Sequence, residues 1–169
     1  QYYLDLIKAY QAWDLTSGGK NFAGKDIVIG VVDEGYDIAH EDLKSNMWVN
    51  HEEIPDNGID DDQNGYVDDY LGWNVKFNND SLYNGGSHGT PVAGIIGAKG
   101  NNAIGVSGVN WNVKILPVNY GDATEANALA SYSYAYNMRK LYNNTHGKKG
   151  AFIVATNSSW GIDNVFAEE

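Results

Sequence analysis

Stretches of β-branched residues alternate along this chain with stretches where small and apolar residues recur at helical spacing. Residues 26–32 read Asp-Ile-Val-Ile-Gly-Val-Val, a continuous apolar run of the kind found where a strand is covered on both faces. It predicts a central parallel strand. Ahead of it, Leu4, Ile7, Ala9 and Trp13 fall among polar residues at roughly helical spacing, and Ser17-Gly18-Gly19 ends the pattern. That predicts a short helix over 3–13. Residues 90–98 are apolar nearly all round, with Pro91 in the first turn where a missing N–H costs nothing, and predict a buried helix. Residues 113–118 predict a second strand, 124–142 a helix rich in Ala, Leu, Met and Tyr, and 151–155 a third buried strand. The long polar segment 34–87 lacks helical periodicity and predicts loops, with short strand pieces around 66–75.

Strand, helix, strand, helix, strand implies an α/β domain with a mainly parallel sheet, in which sites sit at the carboxyl ends of the strands. No repeat, low-complexity tract or linker divides the 169 residues, so residues 1–169 read as part of one domain. A hydrophobic content of 43%, with 12% aromatic, is enough for a real core. The 22 acidic against 11 basic side chains leave a net charge of −11, which repels nucleic acid and anionic lipid and favours a cation as partner. No apolar run approaches the ~20 residues that cross a bilayer. The chain begins with Gln1, from which trimming of a precursor is expected. The absence of cysteine excludes a thiol nucleophile, a disulfide framework and a thiolate metal site.

Two polar residues sit where this fold would place chemistry. Asp33 ends the first buried strand, followed by Gly35, Asp37, His40 and Asp42, and His88 opens the buried helix within Ser87-His88-Gly89-Thr90-Pro91-Val92-Ala93-Gly94. A general base needs an imidazole that is accessible and held in one tautomer. A carboxylate accepting the Nδ1–H would fix the ring, and Gly89 would leave room for a close neighbour.

The loop between them is crowded with carboxylates: Asp56, Asp60, Asp61, Asp62, Asp68 and Asp69. At about 5 Å and an effective dielectric near 20, each like-charge pair costs roughly 3 kcal/mol, so a folded loop of this kind calls for a counter-ion. Asp60-x-Asp62-x-Asn64-Gly65-Tyr66-x-Asp68 repeats the alternate-oxygen spacing of a calcium loop, with glycine at the sixth position. Leu71 stands where an EF-hand has its closing glutamate, so the loop is EF-like only. An all-oxygen ligand set points to Ca2+ and away from zinc.

The block Val31-Val32-Asp33-x-Gly35-x-Asp37-x-x-His40-x-Asp42-Leu43, followed by His88-Gly89-Thr90-x-Val92-Ala93-Gly94-Ile95, resembles the two signature blocks of the subtilisin-like serine peptidases. Asn101-Asn102-x-Ile104-Gly105-Val106-x-Gly108-Val109 is similar to that family's loop beyond the histidine helix, and Asn157-Ser158-Ser159-Trp160-Gly161 to one wall of its primary specificity pocket. The resemblance implies a three-layer subtilisin-like domain and a serine endopeptidase whose triad takes Asp33 and His88 from this chain. A polypeptide substrate would then lie as an added strand between Tyr120-Gly121 and Ser159-Trp160-Gly161. It further implies a second calcium site from Asp42, Asn102 and the carbonyls of Ile104 and Val106, and secretion. Glu34 and Pro91 depart from the family pattern, which has a small hydroxyl residue and a histidine there.

The family's oxyanion asparagine and nucleophile serine are absent from this sequence; Ser107 is a turn residue, and Asn157 belongs to the pocket wall. A second chain or segment carrying both groups is therefore expected to complete the site. An unreactive binding module that keeps only the cleft, or a calcium-stabilised structural domain, remains the alternative.

Overall fold

A computed structural model describes residues 1–83 and 87–161. Four strands, β1 (Val28–Asp33), β2 (Trp73–Asn74), β3 (Lys114–Asn119) and β4 (Ile153–Ser158), form one sheet in the order β2-β3-β1-β4, and every pairing is parallel. The helices are α1 (Tyr2–Leu6), α2 (Ala9–Trp13), α3 (Gly89–Gly97) and α4 (Glu125–Asn144).

Alternation along the strands decides which helix each face meets. Val28 and Val32 of β1, with Leu116 and Val118 of β3, pack on Tyr134, Ala135 and Met138 of α4. Val31 and Ile115 turn to the other face and pack with Ala93 of α3, Tyr36, Leu43 and Met47. Helix, sheet and helix thus form three layers. Asp33 shares the parity of Val31, which aims it at the α3 side of the sheet. The α4 helix starts where its sequence provides a cap: the Thr124 hydroxyl accepts from the Asn127 N–H.

Three expectations change. The single helix over 3–13 is two short helices, because Lys8 takes a left-handed conformation (φ 60) between them. The strand pieces around 66–75 reduce to Trp73–Asn74, since the acidic segment ahead of them commits its side chains to turns. The third strand is not buried along its length: β4 lies at the sheet edge, and Val154 is 50% exposed.

Candidate active site and acidic loop

Asp33 ends β1 at 0% exposure, and its Oδ1 lies 2.8 Å from Nδ1 of His88. The same oxygen accepts the Glu34 N–H at 2.8 Å, while Oδ2 is buried without a partner among the described residues. His88 immediately precedes α3, and its side chain remains 54% exposed. One nitrogen is therefore committed to the carboxylate on a ring that solvent still reaches.

Backbone contacts hold the pair. The Gly89 N–H donates to the Glu34 carbonyl at 2.6 Å, the Thr90 hydroxyl donates to the Gly35 carbonyl, and the Asp37 N–H donates to that hydroxyl at 2.9 Å. A Cβ on Gly89 would lie 2.7 Å from the Tyr36 ring, so only glycine lets α3 begin this close to β1. Tyr36 is itself fixed: its hydroxyl donates to the Val31 carbonyl at 2.6 Å, and burial followed by the Asp33 charge pushes its pKa well above the usual range.

The expected substrate residues gather beside the same strand end. Tyr120 packs on Trp160 with ring centroids 4.7 Å apart, and the Trp160 Nε1–H donates to the Val32 carbonyl at 2.7 Å. The Gly121 N–H is held by Asn119 Oδ1, and Ser159 Oγ accepts from Asn157, which lies within β4. Gly161 is exposed. Burial, then the charges of Glu34 and Asp33, raise the Tyr120 pKa.

In the acidic loop, oxygens of Glu53, Asp60 and Asp62 lie within 4.8 Å of one another. Glu53 was missed by the calcium-loop spacing because it precedes the repeat; the Glu52-Glu53 pair just upstream was the available signal. Its Oε1 accepts the Asp62 N–H at 2.9 Å, while Oε2 is buried without a partner among the described residues. Asp60 accepts the Asn64 and Gly65 N–H groups, and Asn64 Oδ1 accepts the Tyr66 N–H. Asp68 lies outside the cluster: its two oxygens accept the Asn57 and Gly58 N–H groups. The Tyr66 side chain packs on Trp73 and Tyr134. Burial raises the carboxyl pKa of Glu53 and of Asp62 and pushes Asp69 up to about 7, despite the hydrogen bonds Asp69 accepts from Tyr134, Asn50 and Asn64.

At the second expected calcium site, Asp42 meets Asn102 and the 104–106 loop. Its Oδ1 accepts from the Asn102 amide and its Oδ2 from the Val106 N–H, each at 2.8 Å, and the Ile104 N–H donates to Asn102 Oδ1. Both carboxylate oxygens are thus satisfied by N–H donors. Gln1, also missed, reaches this loop: its side chain exchanges two hydrogen bonds with the backbone of Ser107. Nothing in a terminal glutamine announces such a contact.

Fold and site together define an α/β protein with a carboxylate–histidine pair at the carboxyl end of its central strand. The profile of the subtilase family matches residues 24–167, and the chain belongs to that family. It is 41% identical over 117 residues to "Subtilisin-like protease 1" of Plasmodium berghei (strain Anka), covering 69% of this chain and 19% of that protein. The match to "Subtilisin-like protease 2" of Plasmodium falciparum is 30% over 158 residues, 94% of this chain and 10% of that one. An "Extracellular basic protease" of Dichelobacter nodosus is 34% identical over 129 residues, covering 66% of this chain and 19% of that protein. The chain therefore spans a fifth or less of these relatives' length. Among solved structures it is similar to fervidolysin from Fervidobacterium pennivorans, a keratinolytic enzyme related to subtilisin, with 27% identity and a TM-score of 0.49 over 91% of this chain and 19% of that one. Among the described residues no helix is long and apolar enough to cross a membrane.

Proposed function

We propose that this chain is the N-terminal part of the catalytic domain of a secreted serine endopeptidase, to which it supplies Asp33 as orienting carboxylate and His88 as general base and acid. The 2.8 Å contact between His88 Nδ1 and Asp33 Oδ1 carries this reading. With Nδ1–H donated to the carboxylate, Nε2 is the nitrogen free to take a proton from a serine hydroxyl and return it to the leaving amine. Asp33 stabilises the imidazolium formed between these steps. The serine and the oxyanion asparagine come from a second chain or segment. A polypeptide substrate adds as a strand between Gly121 and the 159–161 segment, held through backbone hydrogen bonds that tolerate many side chains.

Calcium belongs to the same reading. The unpartnered Glu53 Oε2, with the neighbouring oxygens of Asp60 and Asp62, suits a hard cation that prefers oxygen ligands. Bound there, Ca2+ would neutralise buried carboxylates and fix the loop. Asp60, Asp62 and Glu53 would hold it, with Asn64 and Tyr66 alongside as the loop spacing expects, while Asp68 is engaged by the Asn57 and Gly58 amides. A second ion at Asp42, Asn102, Ile104 and Val106 would require the Asn102 amide to turn over and the Val106 carbonyl to replace its N–H. The hydrogen bonds there favour a structural role for Asp42.

The test is labelling of the full-length protein by a serine-directed phosphonate. One serine outside residues 1–169 should be modified, and His88→Ala should lose the reaction while keeping the wild-type melting temperature. A folded wild-type protein that resists the label would replace this reading with that of an unreactive binding module.

A further inference from the structure

We propose that a cleft at the amino ends of the strands binds a short acidic polypeptide segment, at a site separate from the Asp33–His88 pair. The cleft encloses about 490 Å3 and is lined by Lys25, Lys44, Lys114, Lys148 and Lys149. These come from four places in the sequence: the approach to β1, the turn after Leu43, the start of β3 and the connection from α4 to β4. In a chain with 11 basic side chains and a net charge of −11, their convergence runs against the overall balance.

None of the five joins an ion pair among the described residues, where the pairs are Lys20–Asp26, Lys76–Asp122 and His88–Asp33. Lys114 Nζ donates to the Ser45 carbonyl at 2.7 Å, and Lys149 Nζ to the Asp62 carbonyl at 2.8 Å. Those contacts position two ammonium groups; the Asp62 carboxylate offsets part of the Lys149 charge, whereas Lys114 meets only a carbonyl. Asp26 and Glu52 also line the cleft, but Asp26 is engaged by Lys20. An excess of positive charge is left facing the opening, with Lys25, Lys44 and Lys148 exposed.

Two features select the ligand. One wall is formed by the paired rings of Tyr142 and Phe152, half-buried apolar surface that suits the backbone and side-chain stems of a peptide and offers nothing to a small hydrated anion. Beyond the cleft the surface is acidic on balance, so a long polyanion such as nucleic acid would meet repulsion within a Debye length of about 10 Å. A segment with a few carboxylates stays within the basic zone. Val28 lines the cleft and Asp33 ends the same strand, which at ~3.3 Å per residue separates the two sites by about 17 Å. Occupancy of one therefore leaves the other open.

The experiment uses the full-length protein carrying His88→Ala, which prevents cleavage of the probe, and follows the fluorescence anisotropy of a labelled hexaglutamate peptide. Saturable binding is expected, weakened at least fivefold between 50 and 300 mM NaCl as a charge-driven contact requires. Lys44→Glu with Lys148→Glu should weaken it at least tenfold; these side chains are exposed, so the melting temperature should hold. If the double reversal lowers that temperature, Lys44→Gln with Lys148→Gln is read in its place. Absence of hexaglutamate binding to the folded protein, or binding indifferent to the lysine substitutions, overturns the proposal. So does displacement by inorganic phosphate or single-stranded DNA at concentrations below the peptide's own dissociation constant.

Discussion

Replacing Gly89 by alanine adds one methyl group where the start of α3 meets the turn that follows β1. The new Cβ would sit 2.7 Å from Tyr36 Cε1, 2.9 Å from Tyr36 Cζ and 2.9 Å from the Glu34 carbonyl oxygen, against an ordinary contact of about 3.4 Å. Neither neighbour can yield cheaply. The Tyr36 ring is 1% exposed and tied to Val31, and the Glu34 carbonyl accepts the Gly89 N–H itself. The helix start must then move by several tenths of an ångström, at a cost of about 1–3 kcal/mol for overpacking a tight core. His88 immediately precedes that glycine and moves with it. A catalytic base displaced by up to ~1 Å loses on the order of 100-fold in rate. Gly89→Ala in the full-length protein should therefore lower kcat by ten- to a hundredfold with little change in KM, while the melting temperature falls by ~2–10 °C. Peptide hydrolysis kinetics and thermal unfolding on one preparation measure both. Wild-type kcat in a folded Gly89→Ala protein would refute the argument that this close approach sets the histidine.

Asp33→Asn should reduce kcat by about 10⁴ by favouring the wrong imidazole tautomer, and the double variant with His88→Ala should be little worse than His88→Ala alone; additive losses would contradict the pairing. Removal of calcium should lower the melting temperature by more than ~2 °C, because unpaired carboxylates would then repel one another. Glu53→Gln should abolish that calcium dependence, whereas Asp68→Asn should destabilise equally with calcium and with chelator; the reverse pattern would return Asp68 to the ligand set. Tyr36→Phe should cost about 1–3 kcal/mol in denaturant unfolding, since it removes the hydroxyl that hydrogen-bonds the buried Val31 carbonyl. A loss below ~0.5 kcal/mol would mean that the carbonyl finds another donor.

The parts of this molecule legible in its sequence are those fixed by periodicity and short-range chemistry. The β-branched run ending at Asp33 had to be a strand, the all-round apolar run after His88 had to be a buried helix, and the run rich in Ala, Leu, Met and Tyr from 124 onward had to be α4. Long-range closure was less visible. Glu53 reaches Asp62 by accepting its N–H at 2.9 Å, beside the Asn50 amide that donates to both Asp62 and Asp69 at 3.0 and 2.8 Å. No spacing rule contains that contact. Asp68 shows the complementary ambiguity: an aspartate in a turn can cap backbone N–H groups as readily as it can bind an ion, and here it accepts from the Asn57 and Gly58 amides. The exposure of β4 was equally hidden, since a strand of Ile, Val and Ala reads the same whether one face or both are covered.

One strand relates the two ends of the molecule. On β1, side-chain parity sends Val32 to α4 and Val31 to the α3 face, so the next residue on the α3 side at the strand's end is Asp33, opposite the histidine that opens α3. A one-residue slip of β1 against β3, now paired Val31 to Pro117 and Asp33 to Asn119, would turn Asp33 toward Tyr134 and Met138 and leave a carboxylate among apolar side chains. The register that fills the core is therefore the one that assembles the pair. The same register carries the lysines at positions 25 and 114 to the opposite end of the sheet. Sequence changes in the strand interior should disturb both sites together, while changes at either end should disturb one.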